Sequence, residues 1–179
     1  MSRVLPRRGC GNYNDEMFAL RYVYVLALVA WLGGMLLLGA IVAPTTFQVL
    51  QAADPESGRA LGGALFGATL ARFNYLAYGA GAILIVSLAA MRVMGPKPAG
   101  YAVRSAIVAA MLAVAAYSGV TVLARIDTIQ LEAGILPSRL PEGDARRVEF
   151  DALHALSTQL MMANIVGAMV LLGWEARER

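Results

Sequence analysis

The sequence predicts an all-helical integral membrane protein: a four-helix bundle with an amphipathic helix before span two and a helical extension after span three. The first observation is composition. Of the 179 residues, 59% are hydrophobic and 15% are charged, whereas soluble domains average about 45–50% apolar and about 25% charged residues. The second is distribution, because four stretches of about 20 residues contain no Asp, Glu, Lys or Arg, and such a stretch crosses a hydrocarbon core of roughly 30 Å as a helix. A soluble bundle would instead carry a charged face on each helix.

The four spans are predicted at about 18–43, 74–93, 101–125 and 148–174. Span one is expected to end at Pro44, because the residue before a proline is disfavoured in the helical region. From Ser57 onward, apolar residues at helical spacing predict the amphipathic helix that leads into span two. The apolar pattern of span three continues as far as Leu131, which predicts its helical extension. Outside the four-span domain at 18–174, we expect a mobile arm at 1–17 and a charged, solvated tail at 175–179.

The flanking charges predict the orientation of the chain. Nine of the fifteen Lys and Arg residues lie on the side of the two termini, and six lie on the other side together with eight of the twelve acids. This bias places both termini in the cytoplasm. The apolar run of span one is longer than the roughly 7–15 residues of a signal-peptide core, so we expect an uncleaved first span. The basic residues form no continuous stripe, so no nucleic-acid partner is expected, and the single Cys10 allows no intrachain disulfide.

The fourth span contains the sole histidine and a group of polar residues, in the sequence FDALHALSTQLMMAN. Residues three and four apart share a helix face, which predicts one stripe formed by Asp151, His154, Ser157, Met161 and Asn164. Lipid would leave the Asn164 amide unsatisfied, so the stripe is expected to face the bundle interior. There it would either join the helices by hydrogen bonds or form a site for a ligand, a proton or a metal.

His154 is the only candidate metal ligand of the stripe. One histidine supplies one axial ligand to haem, and Met161 lies about 10 Å further along the same helix, too far to bind the same iron. A copper site would need methionines from another span, but methionine is also a common gap-filler in cores. Ser157 is one turn from His154, yet the sequence has no nucleophile elbow, HExxH motif or nucleotide-binding loop. We therefore expect no enzymatic activity and no cofactor, with a haem or copper site at His154 as the alternative.

Other ionisable residues are predicted to gather at the membrane face opposite the termini. Arg72 opens span two, and Arg125 and Asp127 close span three. Charges so close to the apolar region are expensive unless they are paired. This predicts ion pairs at the outer face, Arg125 with Asp151 or Arg72 with Asp127.

Two adjacent glycines, Gly33 and Gly34, interrupt span one just after Trp31. Each glycine costs a helix about 1 kcal/mol relative to alanine. A very close neighbour, a bend or the edge of a ligand would offset that cost. We expect this glycine face to meet the polar stripe of span four.

Span one, RYVYVLALVAWLGGMLLLGAIVAPTTF, resembles the opening of the four-span membrane family typified by transmembrane protein 205. The bacterial branch of that family is a domain of unknown function, number 4149. The shared pattern is a Trp-x-Gly-Gly core and a Pro-x-x-Phe exit, formed here by Trp31, Gly33, Gly34, Pro44 and Phe47. The family's His-x-x-Ser-x(6)-Asn pattern in the last span is matched by His154, Ser157 and Asn164.

The resemblance covers about residues 18–174 and implies a four-helix protein of the bacterial cytoplasmic membrane with no established activity. The Trp-x-Gly-Gly element is also similar, more loosely, to copper-resistance D-type membrane proteins, which have more spans and histidines that are absent here. We expect a non-enzymatic small membrane subunit or a transport or stress-tolerance component. Its partners would be the lipid bilayer and either further copies of itself or a larger membrane complex.

Overall fold

The computed structural model describes residues 10–95 and 100–177, and these residues form no strand. The α-helices are α1 Cys10–Leu37, α2 Ala43–Ala53, α3 Gly58–Met94, α4 Tyr101–Tyr117, α5 Leu123–Ala133 and α6 Ala145–Arg177. A π-helical turn at Leu38–Val42 joins α1 to α2 without a break, and a second at Ser118–Val122 joins α4 to α5. A short 3₁₀ turn, Pro137–Arg139, lies in the loop before α6. The predicted all-helical fold and the helical extension after span three are confirmed.

Four continuous helices in the described residues are long and apolar enough to cross a membrane, and the shortest have 33 residues. A helix of that length measures about 50 Å, against a hydrocarbon core of roughly 30 Å. Each helix therefore extends beyond the membrane. We call the end with the starts of α1 and α4 the termini end. The opposite end, with α2, α5 and the start of α6, is the loop end.

Each span packs against two neighbours, in the order α1, α3, α4, α6 and back to α1. The buried core runs along this bundle and includes side chains from every span: Tyr24, Leu28, Trp31, Leu84, Leu88, Val108, Met111, Ala168 and Leu171. The outward faces of the same helices carry many exposed apolar side chains. That distribution is expected where the surrounding solvent is lipid rather than water.

Pro44 does not end the first helix, contrary to the sequence prediction. The helix continues through it to Ala53, and Pro44 stands at the start of α2, directly after the π-helical turn. Proline lacks an N–H group and its ring clashes with the carbonyl four residues earlier in an ordinary α-helix. A local π-helical adjustment accommodates such a residue in a membrane helix. The resulting α2 packs against the start of α3 at the loop end.

The two terminal segments also differ from the prediction. Helix α1 begins at Cys10, about two turns before the expected start of span one, so only residues 1–9 of the expected arm lie outside the described residues. At the other terminus, α6 continues to Arg177, and Glu175 in the expected solvated tail is buried. The amphipathic segment before span two is confirmed as helix, but it is continuous with the span in α3.

The two glycines of span one have different surroundings. A Cβ atom at Gly34 would overlap the ring of Phe73 on α3, whereas a Cβ atom at Gly33 would meet nothing within 4 Å. The close neighbour that offsets the cost of Gly34 is therefore an aromatic ring of span two. The expected docking of the glycine face on the stripe of span four is not found. On α6, the Met161 methyl group instead lies near Gly39, 3.3 Å from where a Cβ atom would be.

Candidate functional site: a polar pocket inside the bundle

The structure divides the predicted stripe of span four into two parts. Ser157, Met161 and Asn164 face the bundle interior and line one pocket. Asp151 and His154 are exposed. At about 100° per residue, Asp151 points roughly 110° away from the mean direction of the three inner residues. The expectation that the whole stripe faces the interior is therefore wrong for its first two members.

The pocket lies between all four spans and has a volume of about 50 Å³. Its wall is mostly apolar. The apolar lining residues are Trp31, Met35 and Leu38 of span one and its π-turn, Leu70, Phe73 and Ala77 of α3, Ala115 of α4, and Leu160 and Met161 of α6. Trp31 is the largest buried side chain of the described residues, and it forms part of this wall.

Four uncharged polar side chains complete the lining: Asn74 on α3, Ser118 at the π-turn of span three, and Ser157 and Asn164 on α6. Asn164 is only 5% exposed. In the part of the chain that the structure describes, no protein group forms a hydrogen bond with any of these four side chains. The predicted interhelical hydrogen bonds of the stripe are thus absent there, and the polar atoms are left to face the pocket.

Both π-helical turns border the pocket, through Leu38 in span one and Ser118 in span three. Such turns are rare and occur frequently at functional sites. The second lies against α3, where the Tyr78 hydroxyl donates a hydrogen bond to the Ala115 carbonyl at 3.4 Å. A Cβ atom at Gly119 would lie 2.7 Å from the Asn74 side-chain nitrogen. The π-turn and Gly119 together let span three approach Asn74 closely.

His154 lies outside the pocket, on the exposed side of α6. Its ring stacks on Phe150 with the centroids 6.2 Å apart and an interplanar angle of 10°. Its backbone carbonyl accepts a hydrogen bond from the Thr158 hydroxyl. The described residues contain no group of three or more His, Cys, Asp or Glu side chains placed to hold a metal ion. The haem or copper alternative at His154 finds no support in this environment.

The ionisable residues at the loop end are paired differently from the prediction. Arg125 donates two hydrogen bonds to Glu149, from Nε to Oε1 at 2.6 Å and from Nη2 to Oε2 at 2.9 Å. Asp151 lies 4.0 Å from Arg147 on its own helix. Arg72 is exposed, and within the described ranges no ion pair joins it to Asp127. At this end, α6 contributes Glu149 rather than Asp151 to the ion pair with Arg125.

Asp144 precedes α6 in the loop and pairs with Arg146 at 2.9 Å. Hydrogen bonds from the Arg146 side chain and from its backbone N–H lower the pKa of Asp144. A second aspartate, Asp54, closes the turn between α2 and α3, where the hydroxyl and backbone N–H of Ser57 lower its pKa. Asp54 is exposed and Asp144 is partly buried, and the hydrogen bonds of both carboxylates stabilise the loops in which they lie.

At the termini end, a buried ion cluster joins three spans. Glu175 of α6 accepts hydrogen bonds from Arg21 of α1 and from Arg104 of α4, the latter at 2.5 Å. The Arg104 and Glu175 side chains are 2% and 3% exposed. The Arg104 guanidinium also lies over the ring of Tyr24, 4.9 Å from its centroid. This cluster joins α1, α4 and α6 through buried charges, and we expect it to act as a structural lock between these spans.

The sequence matches the model of one protein family, described as Domain of unknown function (DUF4149), over residues 26–134. This match covers more than half of the chain. The chain belongs to the DUF4149 family. No curated protein and no solved structure matches it.

The DUF4149 match includes the first motif of the sequence and ends before α6. Within it, Trp31 lines the pocket, Gly34 receives the Phe73 ring, and Pro44 follows the first π-turn. Phe47 lies against Gly62 at the contact between α2 and α3. The motif therefore shapes the pocket and the loop end of this DUF4149 protein. The family model ends before the second pattern of the sequence, which is formed by His154, Ser157 and Asn164 in the last span.

Sequence reasoning missed two parts of this arrangement. Asn74 and Ser118 lie in spans two and three, and an uncharged polar residue within such an apolar run is a signal for an interior face. Glu175 lies in the segment that the sequence predicts to be a solvated tail. Its buried position follows from topology, because Arg21 and Arg104 stand at the same membrane face and a carboxylate there pairs with them.

Proposed function

We propose that this DUF4149 protein is a non-enzymatic component of the bacterial cytoplasmic membrane, a small membrane subunit or a transport or stress-tolerance component that handles small polar molecules. The observation that supports the proposal is the pocket among the four spans, with its four uncharged polar side chains. Polar residues inside a membrane bundle are expensive and commonly mark a binding site or a path. Among the described residues that line it, none is an Asp, Glu, His, Cys, Lys or Tyr that could act as acid or base or activate a serine hydroxyl, which favours binding over catalysis.

The motifs of the sequence support a more specific proposal about the family relationship. The motifs in spans one and four resemble those of transmembrane protein 205, and we propose that the chain is a relative of that protein. A pocket of about 50 Å³ inside one chain is too small to serve as a wide path, so a transport route would need several copies or a larger membrane complex. We propose no haem or copper for this role.

Membrane orientation gives the first test. The excess of Lys and Arg at the termini end supports cytoplasmic termini. A phosphatase fused after Gly143 should therefore be active, and a fluorescent protein fused after Gly95 should fluoresce. The converse fusions, with the two reporters exchanged, serve as matched controls and should both be silent. Activity of the exchanged pair would invert the proposed topology.

The pocket's role is tested by genetic complementation. A strain lacking the gene is grown under osmotic stress and with toxic small polar solutes, and any growth defect is then complemented with the wild type or with Asn164→Leu. We expect Asn164→Leu, present in the membrane at wild-type amount, to restore at most a tenth of the wild-type growth advantage, because the variant fills the pocket and removes its most buried amide. The matched variant Met162→Leu alters an exposed side chain of the same helix and should restore growth fully. If Asn164→Leu restores growth fully, the pocket has no part in the proposed function.

A further inference from the structure

We propose that the pocket is a hydrated site that binds a small, uncharged, hydrogen-bonding solute in exchange for water. The inference rests on the proposed function for its membrane setting, and it adds the class of ligand. Three properties of the described residues carry it: an unpartnered buried amide, the volume of the pocket and the charge of its lining.

The amide of Asn164 requires a partner inside the pocket. An asparagine side chain offers two N–H donors and a carbonyl acceptor. Asn164 is only 5% exposed. Among the residues that the structure describes, no protein group forms a hydrogen bond with its side chain. Burying an amide without hydrogen bonds is unfavourable. Because Asn164 lines the pocket, a molecule held there is the group that satisfies it.

The volume of the pocket sets the size of that molecule. Space of about 10–15 Å³ on this measure holds one water. The pocket, with about 50 Å³, therefore holds roughly three to five waters or a solute of similar size. Each buried water typically makes about three hydrogen bonds. Asn74, Ser118, Ser157 and Asn164 supply enough donors and acceptors for such a cluster.

The lining selects an uncharged ligand. Of the residues that the structure describes, those that line the pocket include no Asp, Glu, Lys, Arg or His. Transferring an unpaired ion from water to such an environment is far more costly than transferring a neutral polar group. Amides and alcohols of a few heavy atoms fit both the size and the hydrogen-bonding pattern. Inorganic ions fit the size but not the charge.

Hydration is tested by hydroxyl-radical labelling of the protein in lipid nanodiscs, generated by a brief X-ray pulse. Radicals formed from internal waters oxidise adjacent methionines. Met35 lines the pocket, whereas Met111 packs in the core and is not one of the lining residues, and both are 3% exposed. We expect Met35 to be oxidised at least fivefold faster than Met111, and Asn164→Leu to remove that difference. Ser157→Ala, a milder change, should reduce it by about half. Equal rates in the wild type would show a dry pocket and overturn the proposal.

Ligand class is tested through Trp31, one of two tryptophans in the chain. In a Trp174→Phe background, Trp31 alone reports from the pocket wall. Acrylamide, a small neutral amide, should quench its fluorescence at least threefold more strongly than iodide at equal concentration. Asn164→Leu should abolish the difference. Equal quenching by the two, or stronger quenching by iodide, would contradict a site for neutral solutes.

The experiments distinguish failure of the hydrated site from failure of the proposed function. Faster oxidation of Met35 together with full genetic rescue by Asn164→Leu would uphold the hydrated site and reject its part in the proposed function. Equal oxidation of Met35 and Met111 would reject the hydrated site, even where Asn164→Leu fails to restore growth.

Discussion

Glu175→Gln is expected to lower the free energy of unfolding by about 3–5 kcal/mol. The carboxylate of Glu175 is the partner of two guanidinium groups, and its neighbour Arg104 is almost fully buried. Removing one member of a buried pair leaves an uncompensated charge in a medium that solvates it poorly. Glutamine keeps the volume of glutamate, so the loss measures the missing charge rather than a cavity. The unfolding free energy is measured by titration with sodium dodecyl sulfate in mixed micelles.

The loop end provides the matched control. Glu149→Gln removes the partner of Arg125 in an ion pair whose members are 42% and 44% exposed. Exposed pairs contribute little because water and salt screen them, so this variant should unfold nearly as the wild type does. A loss below about 1 kcal/mol for Glu175→Gln, equal to that of the control, would show that the termini-end cluster is not a lock. Arg104→Met combined with Glu175→Leu should recover most of the stability, because apolar residues of similar volume commonly replace a buried pair without loss.

These contrasting ion pairs imply different mobility at the two ends of the bundle. A buried cluster joins α1, α4 and α6 at the termini end. At the loop end, α5 and α6 are joined through the exposed pair of Arg125 and Glu149. Regions held by few buried contacts open at lower free energy. Of the four polar residues that line the pocket, Asn164 is the most buried, and Asn74, Ser118 and Ser157 lie nearer the loop end than it does. Exchange with the aqueous phase is therefore expected through the loop end.

The sequence was sufficient to predict an all-helical chain with four helices long and apolar enough to cross a membrane, because each such helix requires an uninterrupted apolar run. The sequence prediction was wrong at Pro44. Proline disfavours a helical conformation in the preceding residue, but a membrane helix can continue through it with a local adjustment of its backbone hydrogen bonds. The π-turn at Leu38–Val42 provides that adjustment. No pattern of apolar residues reports such a turn, since it changes backbone hydrogen bonding and leaves the hydropathy unchanged.

The candidate site was predicted only in part, for a geometric reason. Helical periodicity identified Ser157, Met161 and Asn164 as one face, and they do line the pocket. It could not identify Asn74 and Ser118, because periodicity relates residues within a helix and says nothing about which helices meet. Periodicity also placed the exposed His154 on this face. A step of three residues turns a helix by about 300°, which leaves the two side chains about 60° apart, so residues joined by repeated steps of three lie on different faces.

The adjacent glycines give the last prediction, in which one substitution has opposite effects at neighbouring positions. Gly34→Leu is expected to lower the unfolding free energy by about 1–3 kcal/mol, because the new side chain overlaps the ring of Phe73 and overpacks the contact between α1 and α3. Gly33→Leu is expected to raise it by up to about 1 kcal/mol. The Cβ position there is open, and leucine has the higher helix propensity.

The same detergent titration measures both variants, and Phe73→Ala supplies the coupling test. Adding Phe73→Ala to Gly34→Leu should recover part of the loss, because the leucine then occupies the space of the ring. Adding it to Gly33→Leu should give an additive result, since that position does not touch the ring. Equal losses for the two leucine variants would mean that Gly33 also meets a neighbour in the membrane. Such a neighbour would lie outside the described residues, because among them nothing beyond the helix itself lies within 4 Å of the added Cβ atom.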